Sequence, residues 1–112
     1  MEEKRQAGPR VATAIEITVL SADASQTSTV LNLSSGGIFI KADNPLPIDS
    51  PLSMWFHLPG DPERMDVQGR VVWIKQKSSV LPAGMGVQFT ELSPAHQEKI
   101  MAFIDSSHAR IP

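Results

Sequence analysis

Apolar and polar residues alternate from Val11 to Leu20, with Val11, Thr13, Ile15, Ile17 and Val19 on one side and Ala12, Ala14, Glu16 and Thr18 on the other. A period of two over that length predicts a half-buried first strand. Ser21-Ala22-Asp23-Ala24-Ser25 has turn composition, and Gln26 to Leu33, rich in β-branched and hydroxyl residues and ending on apolar Val30, Leu31 and Leu33, predicts a second strand. Ser34-Ser35-Gly36-Gly37 reads as a tight connection in which paired glycines supply positive φ, and Ile38-Phe39-Ile40 opens a third strand. After the proline-punctuated stretch Asn44 to Pro51, Leu52, Met54, Phe56 and Leu58 alternate with Ser53, Trp55 and His57 in a fourth strand. Pro59-Gly60-Asp61-Pro62 is a turn. Met65 to Lys75 follows as a long fifth strand in which Gly69 is expected to mark a bulge or a close approach, and Gly84-Met85-Gly86-Val87-Gln88-Phe89 is a short sixth.

The pattern then changes. Ser93 before Pro94 is an N-cap hydroxyl followed by proline at the first helical position, and Ile100, Phe103 and Ile104 fall at i, i+3 and i+4. These features predict an amphipathic helix to about Ser107 that closes over the strands. Six strands and one terminal helix indicate a mainly β fold, a small antiparallel barrel or sandwich rather than a βαβ unit. Residues 1–10 are polar and broken by Gly8-Pro9 and are expected to form a flexible, arginine-containing arm; residues 11–107 form one domain, and residues 108–112 a tail.

Composition narrows the function classes. The chain has 112 residues, with 10 Lys+Arg against 12 Asp+Glu, so there is no basic surplus for nucleic acid, and no DNA or RNA partner is expected. The absence of cysteine removes a disulfide scaffold, a thiolate metal site and a thiol nucleophile. No apolar run approaches the roughly 20 residues that cross a bilayer. The chain is read as soluble and cytoplasmic.

Candidate catalytic chemistry is equally sparse. His57, His96 and His108 are far apart and fit no metal-ligand spacing, so no metal site is expected. There is no GxSxG elbow, and the glycines form neither GxGxxG nor GxxxxGK[ST]. Trp55 and Trp73 read as core or barrel-surface packing rather than as stacking platforms. The sequence points to no enzyme and no cofactor.

What stands out is Arg10 just before the first strand together with Asn32-Leu33-Ser34-Ser35-Gly36-Gly37 after the second. In this pairing the sequence resembles the PilZ family, in which an RxxxR arm precedes the first strand and a [D/N]xSxxG motif joins the second and third. Asn32, Ser34 and Gly37 match the second motif. GGIFI, GRVVWI, GMGVQF and the LSP helix start follow as family landmarks in order. The resemblance implies a six-stranded antiparallel PilZ-type β-barrel closed by the C-terminal helix, and binding of the bacterial second messenger cyclic di-GMP.

The residues suit such a ligand. A guanidinium can fork onto phosphate oxygens, donate to guanine O6 and N7, or stack on the base. Asn32 can pair its amide with a guanine edge, Ser34 can donate or accept, and Gly37 lets the backbone come close. The arm departs from the pattern: four residues before Arg10 stands Gln6, and Arg5 lies five residues away. In an extended chain one residue of offset turns Arg5 to the opposite face, although Gly8-Pro9 between them allows an irregular segment to re-aim it, and Lys4 offers a point charge. Arg5, Arg10, Asn32, Ser34 and Gly37 are therefore the expected ligand residues. The implied role is a receptor that relays cyclic di-GMP to a protein partner controlling motility, attachment or exopolysaccharide. A domain that lost the nucleotide and acts through protein contacts is the alternative.

Overall fold

The computed structural model describes residues 10–21, 24–78 and 82–109. Six strands precede one helix: β1 (Arg10–Ser21), β2 (Ala24–Ser34), β3 (Gly37–Lys41), β4 (Pro51–Phe56), β5 (Met65–Lys75), β6 (Gly84–Glu91) and α1 (Pro94–Ala109). They close into an antiparallel barrel in the order β1-β2-β3-β6-β5-β4, with β4 returning to pair with β1. Every strand expected from the alternation is present, and closure selects the barrel over the sandwich. Arg10, assigned by sequence to the arm, is the first residue of β1 and pairs with Ser34.

Alternation fills the interior. Ile17, Val30, Ile40, Met54, Val67, Val71 and Val87 are buried in one core contributed by all six strands. Thr13, expected on the inner side of β1, is only half-buried, because a register shift between Ala12 and Ile15 re-aims that segment. Gly69 fulfils both expectations placed on it. Register shifts between Gln68 and Gly69, and an added Cβ would come within 2.6 Å of Val87 Cγ1 and 2.9 Å of the Gln88 carbonyl oxygen.

The glycine pair after β2 works differently from its sequence reading. Among the described residues positive φ occurs at Gly60 (79°) and at Asp49 (77°), not at Gly36 or Gly37. Gly37 is required by proximity instead: a Cβ there would lie 2.4 Å from the carbonyl oxygen of Val87 on β6. The missing side chain therefore lets β3 and β6 pair.

Helix α1 begins as predicted. The Ser93 hydroxyl accepts the His96 N–H at 3.1 Å, and the Ser93 carbonyl accepts the Gln97 N–H at 2.9 Å. Ile100 and Ile104 are buried and Phe103 packs partly against the core. A polar clasp pins the helix to the loop after β4: the Lys99 ammonium donates to Asp61 Oδ2 at 2.8 Å and to Glu63, and His96 Nε2 lies 3.3 Å from Glu63 Oε2. Hydrogen bonds from Lys99 hold the Asp61 and Glu63 carboxyls below their usual range and raise the Lys99 ammonium above its own.

Two outcomes follow from this packing. Ile100→Ala, which opens a cavity where a fully buried side chain stood, should cost about 2–5 kcal/mol in urea unfolding. The clasp contributes most at neutral pH. Its share fades in acid as pH falls through the depressed carboxylate values, and in alkali as pH rises from the ordinary lysine value through the raised one. The urea midpoints of wild type and Lys99→Met should therefore differ most near neutrality and converge at both extremes; a gap independent of pH would contradict the clasp.

Candidate functional site

Directly opposed residues of antiparallel strands share one face of the sheet. Two neighbouring rows on the outside of the barrel follow from the register. In the first, Arg10 on β1 stands opposite Ser34 on β2; beyond the turn, Gly37 on β3 stands opposite Gln88 on β6, and Gln88 opposite Arg70 on β5. The second runs Ala12, Asn32, Phe39, Gly86, Trp73 across β1, β2, β3, β6 and β5. Four of the expected ligand residues, Arg10, Asn32, Ser34 and Gly37, thus meet at one end of the outer face. Arg5 lies outside the described residues, as do Lys4 and Gln6.

Arg10 Nη1 donates to Asn32 Oδ1. A guanidinium has no acceptor, so Asn32 must turn its carbonyl oxygen to Arg10, which leaves the amide N–H groups for another partner. Ser34 plays a more internal part than its motif position implies. It is buried at 5% exposure, its Oγ donates to the Gly37 carbonyl at 3.3 Å, and it accepts the Gly36 N–H at 3.3 Å. The Phe89 N–H then donates to the Gly36 carbonyl at 3.0 Å, tying the corner to β6. Serine at this position holds the turn that carries the glycines.

The second row supplies an aromatic surface that sequence reasoning assigned only to packing. Phe39 lies outside the core cluster, although Ile38 and Ile40 on either side belong to it. Trp73 covers it, with ring centroids 5.1 Å apart and planes 18° from parallel. The indole also lies over Gly86, where a Cβ would fall 2.0 Å from Nε1. Only glycine permits that contact. Trp73 nevertheless remains 43% exposed, so its outer face is open. Trp55 also faces outward, but the Arg64 guanidinium covers its ring at 4.5 Å.

Between these groups lies a shallow cavity of about 240 Å³, lined among others by Arg10, Ser34, Gly36, Val72, Trp73 and Gln88. Among the described residues that line it, Arg10 is the one charged side chain. A cation beside an open aromatic face can take an anionic group attached to a flat ring. A hollow of about 380 Å³ at the other end of the strands, lined by Ser21, Gln26, Thr27 and Lys41, contains none of the motif residues. Phe39, Trp73 and Gly86 are scattered along the chain, and their relation emerges only once β3, β6 and β5 are neighbours, with the glycine between the two aromatic positions across the strands.

Comparison with solved structures finds the same fold at low identity. The Bacillus subtilis inhibitor of motility (MotI/DgrA) superposes with a TM-score of 0.86 at 13% identity, covering 97% of this chain and 54% of that one. This chain thus spans about half the length of that protein. The PilZ domain of YcgR from Escherichia coli, solved with c-di-GMP, gives 0.72 at 11% identity, with 96% and 94% covered. The PilZ domain of CeSA from a cellulose-synthesizing bacterium gives 0.65 at 18% identity, with 90% and 99% covered. No curated protein sequence matches the chain. The family model described as the PilZ domain matches residues 3–106, nearly end to end across the barrel and its helix, and the chain belongs to that family.

Proposed function

We propose that this domain is a receptor for cyclic di-GMP and works by binding rather than by catalysis. The observation that carries the reading is the Arg10–Asn32 hydrogen bond, which brings the arm-side arginine and the polar corner together beside an open tryptophan face. Arg10 supplies donors in a fork that suits phosphate or the O6/N7 edge of guanine. Asn32 contributes amide donors whose direction Arg10 sets, and Trp73 offers a surface for a purine ring. Gly36 and Gly37 keep the corner low, so the ligand can approach the backbone. The likeness to the YcgR domain solved with c-di-GMP supports the same ligand class.

Arg5, carried on the arm, is a further proposed contact. Ordering that arm on the ligand would create a new surface for a protein partner in control of motility, attachment or exopolysaccharide, and the domain would act in the cytoplasm. Among the described residues no helix is long and apolar enough to cross a membrane.

Calorimetric titration of cyclic di-GMP into the full chain tests the reading. Saturable heat is expected, weakened about ten- to hundredfold by Arg10→Ala, the equivalent of about 1–3 kcal/mol for one bidentate contact. No saturable heat with wild type would overturn it. Gln6→Arg, which restores RxxxR with Arg10, should tighten binding. In Trp55→Phe, Trp73 is the sole tryptophan, and its fluorescence should change with ligand along the same isotherm. An unchanged emission at calorimetric saturation would remove Trp73 from the site.

A further inference from the structure

Cyclic di-GMP has two phosphates, whereas Gln6 occupies the place of the arm's first arginine and, among the described residues lining the cavity, Arg10 is the one charged side chain. We propose that Arg70 on β5 is the second phosphate-binding guanidinium of this site, approaching from the wall opposite Arg10, with Asp49 as the carboxylate that competes for it. This inference rests on the cyclic di-GMP reading above.

The register carries it. Arg70 stands directly opposite Gln88, which lines the cavity, and Gln88 stands directly opposite Gly37 of the motif corner. Directly opposed side chains have Cβ atoms only about 5 Å apart, and neighbouring strands are about 4.8 Å apart, so a side chain as long as arginine can reach across β6. Gly69 and Val71 on either side of Arg70 are buried, and Arg70 itself is exposed, so its side chain is on the outer face. The next residue outward along β5, Val72, already lines the cavity. Gly37 has no side chain to block the path.

Asp49 is placed to hold this guanidinium. Its Oδ1 lies 3.8 Å from Arg70 Nε, with the two side chains 78% and 49% exposed. The backbone around it is fixed: the Asp49 N–H donates to the Val71 carbonyl at 2.7 Å, the Val71 N–H donates to the Ser50 carbonyl at 3.0 Å, and Asp49 has φ 77°. A separation of 3.8 Å exceeds hydrogen-bond distance, and an ion pair this exposed is weak and screened by salt. A phosphate offering charge-assisted, forked hydrogen bonds would displace it. Asp49 would also repel the dianionic ligand directly.

Titrations of cyclic di-GMP into full-length wild type, Arg70→Ala, Arg70→Lys, Asp49→Asn and the Arg70→Ala/Asp49→Asn double variant test this. Urea midpoints confirm that each variant is folded. Arg70→Ala should weaken binding about ten- to hundredfold, with Arg70→Lys in between because it keeps charge without the fork. Asp49→Asn should tighten binding several-fold, and most of that gain should vanish in the double variant. Saturable wild-type binding that Arg70→Ala leaves unchanged overturns the role of Arg70 alone, as does an Asp49→Asn gain that persists in full without Arg70. Absence of wild-type heat instead overturns the receptor reading, and this inference with it.

Discussion

Pairing between β3 and β6 is the contact on which the rest of the molecule turns. These strands are far apart in sequence, and β3 is only five residues long. Their approach is close enough that Gly37 has no room for a Cβ against the Val87 carbonyl. Without that pairing the strands would form one open sheet, β3-β2-β1-β4-β5-β6, with β3 and β6 as exposed edges. With it the sheet closes, β3 and β6 gain the second neighbour that the other strands already have, and one core forms from all six.

The same closure builds the outer site. Arg10 and Asn32 belong to the first half of the sheet, Gly86, Gln88 and Trp73 to the second, and β3 joins them. The pleat points Ile38 and Ile40 into the core and Phe39 outward, where Trp73 shields it. Core and outer face are thus two sides of one strand, and a change at Gly37 or Gly86 would be felt on both. Ser34 illustrates how one residue can shape the corner from below: it is buried and ties the turn together, while Arg10, paired opposite it, is exposed.

The charge distribution fits a small anionic partner better than a large one. The net charge is −2, yet the residue placed over the motif corner is an arginine. Lys99 and His96 are engaged at the helix clasp with Asp61 and Glu63, so they serve attachment of α1 rather than the outer face. Under the proposed cyclic di-GMP reading, local placement of guanidinium groups rather than bulk charge would attract the ligand.

Alternation of period two determined the six strands, the N-cap serine with its proline determined the helix start, and the NxSxxG spacing after the second strand marked the β2–β3 corner. These signals are local, written within a few residues by side-chain polarity and backbone freedom. Periodicity left barrel and sandwich open and the family resemblance pointed to the barrel, whereas the reason for Gly37, the covering of Phe39 by Trp73 and the position of Arg70 across Gln88 were decided only by tertiary structure. Each depends on which strands become neighbours and in what register, and a single strand's periodicity carries no information about its partners. Glycine looks alike in sequence whether it serves a positive φ or a close approach. Only the strand or ring packed against it, Val87 at Gly37 and Trp73 at Gly86, reveals which of the two it serves.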